Sequence, residues 1–247
     1  MVPLKRKHQK RRLITFLVLA VPILLAGGWL RLKTYKADPS SQQAVSLAQQ
    51  QTSSYYYFEP TVQHGHESSS PLIIYGGGLV ETEAYAYLAA SLAEQGSSVY
   101  LLKSPVNLPI LNQNQALSII EQKDLQKVYL IGHSLGGVAA STATSSNSEI
   151  DGLILLASYP SQKTDLSQSK LSVLSITAEN DRVLDWGAYD QAKERLPQNT
   201  QYVTIPGGNH SGFGLYGQQE GDGQSTLTSL QQQEKLITII KTFLETL

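Results

Sequence analysis

From residue 55 onward, short apolar runs alternate with stretches of helical period. Tyr55–Phe58, Leu72–Tyr75, Val99–Leu102, Val128–Ile131, Leu153–Leu156, Leu171–Thr177 and Gln201–Ile205 read as strands bounded by Gly, Pro and polar turn residues. Between them, Thr82–Glu94 sets Tyr85, Leu88, Ala89 and Leu92 on one helical face, and Gln113–Glu121, Trp186–Arg195 and Thr226–Leu247 also read as helices. His64–Ser68 reads as a polar turn. Strands that are apolar throughout are buried on both faces, so the pattern predicts an α/β fold with a doubly wound, mostly parallel sheet. Its crossovers should be right-handed, and its ligands should sit beyond the carboxyl ends of the strands. Residues 36–54 (KADPSSQQAVSLAQQQTSS) have little apolar content and no sustained period, and they read as a polar stalk or short helix between membrane and domain.

The N-terminus has a different pattern. Residues 13–30 (LITFLVLAVPILLAGGWL) carry no charge. Eighteen helical residues extend about 27 Å, close to the roughly 30 Å of a hydrocarbon core. Six Lys or Arg precede this run and three follow it by residue 36. The positive-inside rule then leaves residues 1–12 cytoplasmic, makes 13–30 a transmembrane signal anchor, and sends a stalk (31–54) and a domain (55–247) outside the cytoplasm. Two other readings compete. Ala26-Gly27-Gly28 offers small residues for cleavage of a signal peptide, which would secrete the domain. A buried core helix is the other, but the one-sided charge argues against it.

The formal net charge of −1 hides an asymmetry. Nine of the nineteen Lys and Arg lie in residues 1–36, where no Asp or Glu occurs, so the rest of the chain carries ten basic and twenty acidic residues. An acidic domain does not attract nucleic acid. The absence of cysteine excludes disulfides, thiolate metal sites and a cysteine nucleophile.

Candidate chemistry centres on Gly132-His133-Ser134-Leu135-Gly136. It follows the run Val128–Ile131 and precedes Val138-Ala139-Ala140, which can continue as a helix. Strand, Gly-x-Ser-x-Gly, helix is the context of a nucleophile elbow, in which Ser134 stands exposed at the strand end and at a helix N-terminus. A serine nucleophile needs a base and a group to orient that base. Of the five histidines, His8 precedes the apolar segment, His64 and His66 precede the serine, and His133 belongs to the elbow and is expected to point away from where a base must be. His210, in the glycine-rich loop after the last strand, is the candidate base. The acid should follow Leu171–Thr177. Asp181 is the choice there, with Glu179 and Asp185 as alternatives. The order Ser134, Asp181, His210 is that of the α/β-hydrolase arrangement. An oxyanion needs N–H donors, expected from Leu135 and from the Gly76-Gly77-Gly78-Leu79 loop, with Gly78 preferred and Leu79 close behind. No Lys-Ser/Thr follows that loop, which argues against a phosphate site.

The stretches YGGGLVETEAYAYLA, LLKSPVNLPILN, YLIGHSLGG, SITAENDRV and GGNHSGFGLYGQQEGDG resemble the alpha/beta-hydrolase superfamily, in particular the small bacterial alpha/beta-hydrolase family 5. The resemblance implies Ser134 as nucleophile, Asp181 as acid and His210 as base. It implies no cofactor and no metal, and it supplies no defined substrate. The loop Ser158–Lys170 is too short for a large helical lid, so an open site is expected. The activity expected is that of a carboxylesterase on a small-molecule acyl substrate. An acyltransferase, amidase or peptidase using the same residues is the nearest alternative. A non-catalytic surface-binding domain on the same scaffold is the other. Tyr216 and Gly221-Asp222-Gly223 read as parts of a structural turn.

Overall fold

The computed structural model describes residue 28 and residues 32–61 and 69–246. The proposed anchor, its basic flank and the His64–Ser68 turn lie outside the described residues, save Gly28. Among the described residues, no helix is long and apolar enough to cross a membrane. The chain divides into two compact units, residues 1–34 and residues 35–247.

The second unit is built on one eight-stranded sheet. Its strands are β1 (Gln50–Gln51), β2 (Tyr55–Phe58), β3 (Ser69–Tyr75), β4 (Ser97–Leu102), β5 (Val128–His133), β6 (Ile150–Leu156), β7 (Ser172–Ala178) and β8 (Gln201–Ile205). The spatial order is β1-β2-β4-β3-β5-β6-β7-β8. At one edge β1 pairs with β2 and β2 with β4 antiparallel, and the remaining neighbouring pairs are parallel. Every strand expected from the apolar runs is present.

Alternation along the strands divides the interior into two cores. Leu72 and Ile74 of β3 and Tyr129 and Ile131 of β5 face α2 (Ala86–Glu94) and α6 (Ser229–Glu245), through residues such as Leu88, Leu92, Leu236 and Ile240. Ile73, Tyr75, Val128 and Leu130 face α3 (Gln115–Lys123) and α4 (Leu135–Thr144), through Ile119, Ile120, Ala139 and Ala143. Small residues on the inner face of α4 let it lie close on the sheet behind the elbow. Burial of each large aliphatic side chain contributes about 1.5–3 kcal/mol. α6 starts at Ser229 rather than Thr226, because Thr228 and Gln231 form a reciprocal capping box that fixes the first turn there.

The segment read as a stalk or short helix outside the domain does contain a short helix, but from Tyr35 onward it is part of the domain, and that placement is corrected. Residues 39–44 form helix α1, and Gln50–Gln51 pair with β2 as the edge strand. Ala37, Ser41 and Ala44 are buried against the domain, and Tyr35 and Asp38 donate their N–H groups to the carbonyls of Leu79 and Leu215. Small side chains, one of them polar, make this contact. Two alanines and a serine give no apolar period, which is why the segment reads as solvated.

Candidate active site

The turn from β5 into α4 sets Ser134 at φ 51°, ψ −123°, a left-handed conformation that a non-glycine residue holds only when its surroundings fix it. The Ser134 N–H donates to the carbonyl of Leu156 at 2.9 Å, and its carbonyl accepts from the Ser158 hydroxyl at 2.6 Å. Both flanking glycines are required by close approach. A Cβ on Gly132 would meet the backbone of Gly136 and Gly137, and one on Gly136 would meet the carbonyl oxygens of Tyr75 and Gly76.

β7 ends at Ala178, and the next turn carries Asp181. The loop after β8 carries His210. His210 Nδ1–H donates to Asp181 Oδ2 at 2.8 Å, with the two side chains 2% and 0% exposed. The other carboxylate oxygen of Asp181 accepts from the N–H groups of Val183 at 2.9 Å and Leu184 at 2.8 Å. The two alternative acids are engaged elsewhere. Glu179 accepts from the N–H of Gly207 at 2.7 Å, and Asp185 caps α5 (Trp186–Ala192) through the N–H of Ala188. His210 Nε2 is buried and has no hydrogen-bond partner among the described residues. His210 and Ser134 both line one cavity of about 210 Å³, together with Leu135, Val138, Tyr159 and Val183. A larger groove of about 720 Å³ lies between β8 and α6, lined by Val203, Ile205, Leu227 and Ile239, and does not include Ser134.

The candidate oxyanion donors divide. As the first residue of α4, Leu135 has no carbonyl within the helix to take its N–H. The N–H of Gly78 has no hydrogen bond among the described residues, and a Cβ on Gly78 would lie 3.0 Å from the Leu135 side chain, so this glycine packs against that side chain. Leu79 is corrected: its N–H donates to the carbonyl of Asn107 at 2.7 Å and is not free for a substrate. The N–H of Gly77 is also occupied, by the Tyr85 hydroxyl at 2.8 Å.

That hydroxyl also hydrogen-bonds His133 Nδ1 at 2.8 Å. Far from pointing away, the His133 ring packs 4.7 Å from the His210 ring, centroid to centroid. The sharp elbow folds the residue before the serine under the strand end, where the loop carrying His210 returns. Burial, reinforced by the neighbouring His210, holds the His133 pKa well below the usual histidine value, and a contact with the His210 backbone opposes this only in part. Burial also raises the Tyr85 pKa, so both groups are neutral. The Tyr85 hydroxyl therefore pins the Gly76–Leu79 loop to the elbow through the Gly77 N–H and His133 Nδ1. Sequence reasoning places Tyr85 on the apolar face of a helix, which is correct for its ring and silent about its hydroxyl. Among the described residues, no group of three or more His, Cys, Asp or Glu is placed to hold a metal ion.

A strained serine between strand and helix, on an eight-stranded mostly parallel sheet with an Asp–His pair beyond its carboxyl ends, is the architecture of an α/β hydrolase. Residues 71–234 match the model of the Alpha/beta hydrolase family, and the chain belongs to that family. Its fold is shared by a predicted CIB-like hydrolase from Thermoplasma acidophilum (14% identity, 78% of this chain and 93% of that one, TM-score 0.58). Est1E from Butyrivibrio proteoclasticus is similar (17% identity, 78% and 93%, TM-score 0.57). So is MGS-MChE2, an alpha/beta hydrolase enzyme from a lagoon-sediment metagenome of Mar Chica, Morocco (15% identity, 81% and 98%, TM-score 0.56). At these identities the likeness is one of fold. No curated protein sequence matches the chain.

Proposed function

We propose that this hydrolase is a serine carboxylesterase in which Ser134 is the nucleophile, His210 the base and Asp181 the group that orients the base. The observation that carries the reading is the buried His210–Asp181 hydrogen bond beside a cavity shared with a conformationally strained Ser134. With Nδ1–H committed to Asp181, the unprotonated Nε2 takes the Ser134 proton as the hydroxyl oxygen attacks the ester carbonyl. The carbonyl electrons move onto oxygen, where the N–H groups of Leu135 and Gly78 receive the charge. The C–O bond to the alcohol breaks as His210 returns the proton to it. Water, deprotonated by the same Nε2, then attacks the acyl-enzyme, and Ser134 recovers its proton as the acid leaves.

The cavity supports a small substrate. Its 210 Å³ falls below the roughly 300–1,000 Å³ of pockets that enclose drug-sized ligands. The cavity accommodates a short acyl group such as acetyl, so acetyl esters are the first substrates to test. A fluorophosphonate probe should label the wild type and spare Ser134→Ala, and the same variant should lose hydrolysis of p-nitrophenyl acetate. Equal labelling of both proteins removes Ser134 from the mechanism.

We propose further that residues 13–30 anchor the domain in a membrane with the site outside the cytoplasm. The uncharged run and its basic flank support this. Extraction of the full chain only by detergent, with the domain cleaved by protease added to intact cells, is the expected result. A full chain recovered in the soluble cytoplasmic fraction overturns it.

A further inference from the structure

The loop after His210 ends in Gly221-Asp222-Gly223, which folds back to where the acid turn and the base loop meet. Asp222 Oδ1 accepts from the N–H groups of Arg182 at 3.3 Å, His210 at 3.3 Å and Gly223 at 2.8 Å, and Oδ2 accepts from the N–H of Ser211 at 2.8 Å. One carboxylate thus takes four backbone donors. They belong to the residue after Asp181, to His210 itself, to the residue after His210, and to its own turn.

The turn is built to deliver that carboxylate. Gly221 adopts φ 82°, and a Cβ on Gly223 would collide with the carbonyl oxygen of Asn180, so the turn lies against the acid segment without side-chain spacing. Gln218 holds it from the other side, donating to the carbonyls of Asp222 and Gly223 at 3.2 Å each. Asn209, next to His210, donates to the Gly223 carbonyl at 2.9 Å.

We propose that Asp222 is a positioning residue: its carboxylate fastens the backbone at His210 and Ser211 to the backbone just after Asp181, and so holds the imidazole in line between Asp181 and Ser134. The proposal rests on the Ser134–His210–Asp181 reading. Charge-assisted hydrogen bonds to backbone donors are the strong class; the 2.8 Å bonds from Ser211 and Gly223 belong to it, and the 3.3 Å bonds from His210 and Arg182 are longer and weaker but tie the same carboxylate to both segments. The His210–Asp181 hydrogen bond alone fixes one end of the ring. The backbone contacts from Asp222 fix where the ring starts. Displacement of a catalytic group by about 1 Å costs on the order of 10²-fold in rate.

The experiment compares wild type, Asp222→Asn and Asp222→Ala as full-length proteins. Active sites are counted by fluorophosphonate labelling, ester hydrolysis gives kcat per labelled site and KM, and thermal unfolding gives Tm. Proton NMR follows the downfield resonance of His210 Nδ1–H. Asparagine keeps one acceptor oxygen and loses the other, so it should partly substitute. The expected result is a kcat per site reduced about tenfold in Asp222→Asn and about 10²-fold in Asp222→Ala, with KM little changed and the Nδ1–H resonance broadened or shifted. Wild-type kcat per site in both variants, or an activity loss that tracks only the number of folded, labelled sites, overturns the proposal. If Asp222→Ala does not fold, the near-isosteric Asp222→Asn decides alone by the same criteria. Ser134→Ala separates the two levels. If it still hydrolyses ester, the triad reading fails. If it is inactive while the Asp222 variants match wild type, only the positioning role fails.

Discussion

Replacing Asp181 with asparagine changes which histidine nitrogen holds the proton, and the structure dictates the direction. The two oxygens of Asp181 do different work. Oδ1 accepts from the N–H groups of Val183 and Leu184, and Oδ2 accepts from His210 Nδ1. An asparagine has one acceptor oxygen and one donor NH2. Facing the oxygen toward His210 would turn the NH2 against two buried N–H groups, leaving each unsatisfied at a cost of about 1–3 kcal/mol. The amide therefore keeps its oxygen on Val183 and Leu184 and presents NH2 to His210. Nδ1 must then accept, and the ring proton moves to Nε2, the atom that takes the Ser134 proton in the proposed mechanism. A wrong tautomer in otherwise intact geometry costs about 10⁴-fold in kcat, or about 5.5 kcal/mol of transition-state stabilisation. The assay is the initial rate of p-nitrophenyl acetate hydrolysis by Asp181→Asn, with KM and Tm measured on the same preparation. A large fall in kcat at near-constant Tm is expected. A fall of less than tenfold with unchanged Tm would refute the assignment of Asp181 and return Glu179 or Asp185 to the role.

Gly136→Ala drives a Cβ into the backbone oxygens of Tyr75 and Gly76, so the strand end or the elbow must shift. About 1–3 kcal/mol of stability should be lost, with Ser134 labelling slowed at least tenfold, as read by thermal unfolding and probe kinetics. Tyr85→Phe leaves the Gly77 N–H and His133 Nδ1 buried without their shared partner, and both Tm and kcat should fall; an unchanged kcat would show that the oxyanion loop does not depend on this hydroxyl. His133 makes stability depend on pH. Its folded pKa lies well below 6.5, so as pH falls through 6.5 the unfolded chain takes up a proton that the folded chain refuses, and stability drops. One such group contributes a slope of at most about 1.4 kcal/mol per pH unit. His133→Gln should flatten the acid side of a curve of unfolding free energy against pH by that slope or less, and an unaltered curve would show that His133 is not its source.

The strands and most helices were legible because parallel strands buried on both faces are apolar throughout, and that signal survives without knowledge of their partners. The elbow was legible because its glycines are required by backbone contacts with Gly137 and Tyr75, which no other residue satisfies. Contacts made by small or polar side chains were not legible. Ala37, Ser41 and Ala44 dock a segment that reads as a stalk. Leu79 was a plausible oxyanion donor until Asn107, a residue of the next loop but one, took its N–H. His133 continues the face of Tyr129 and Ile131 along β5 and meets Tyr85, Phe213 and the His210 ring there, a convergence of distant segments that the elbow string does not encode. Asp222 is part of a recognisable string, yet its role depends on three segments meeting, and no local pattern encodes that.

The seating of the base loop has a consequence for biosynthesis. Gln232, in the first turn of α6, accepts from the N–H of Asn209 at 3.0 Å and donates to its carbonyl at 2.8 Å, and Gln233 donates to the carbonyl of Gly212 at 2.8 Å. Every strand leaves the ribosome before residues 229–245 do. A nascent chain can thus assemble this sheet and the elbow while the His210 loop still lacks the contacts that Gln232 and Gln233 supply, and that loop is seated only as α6 docks.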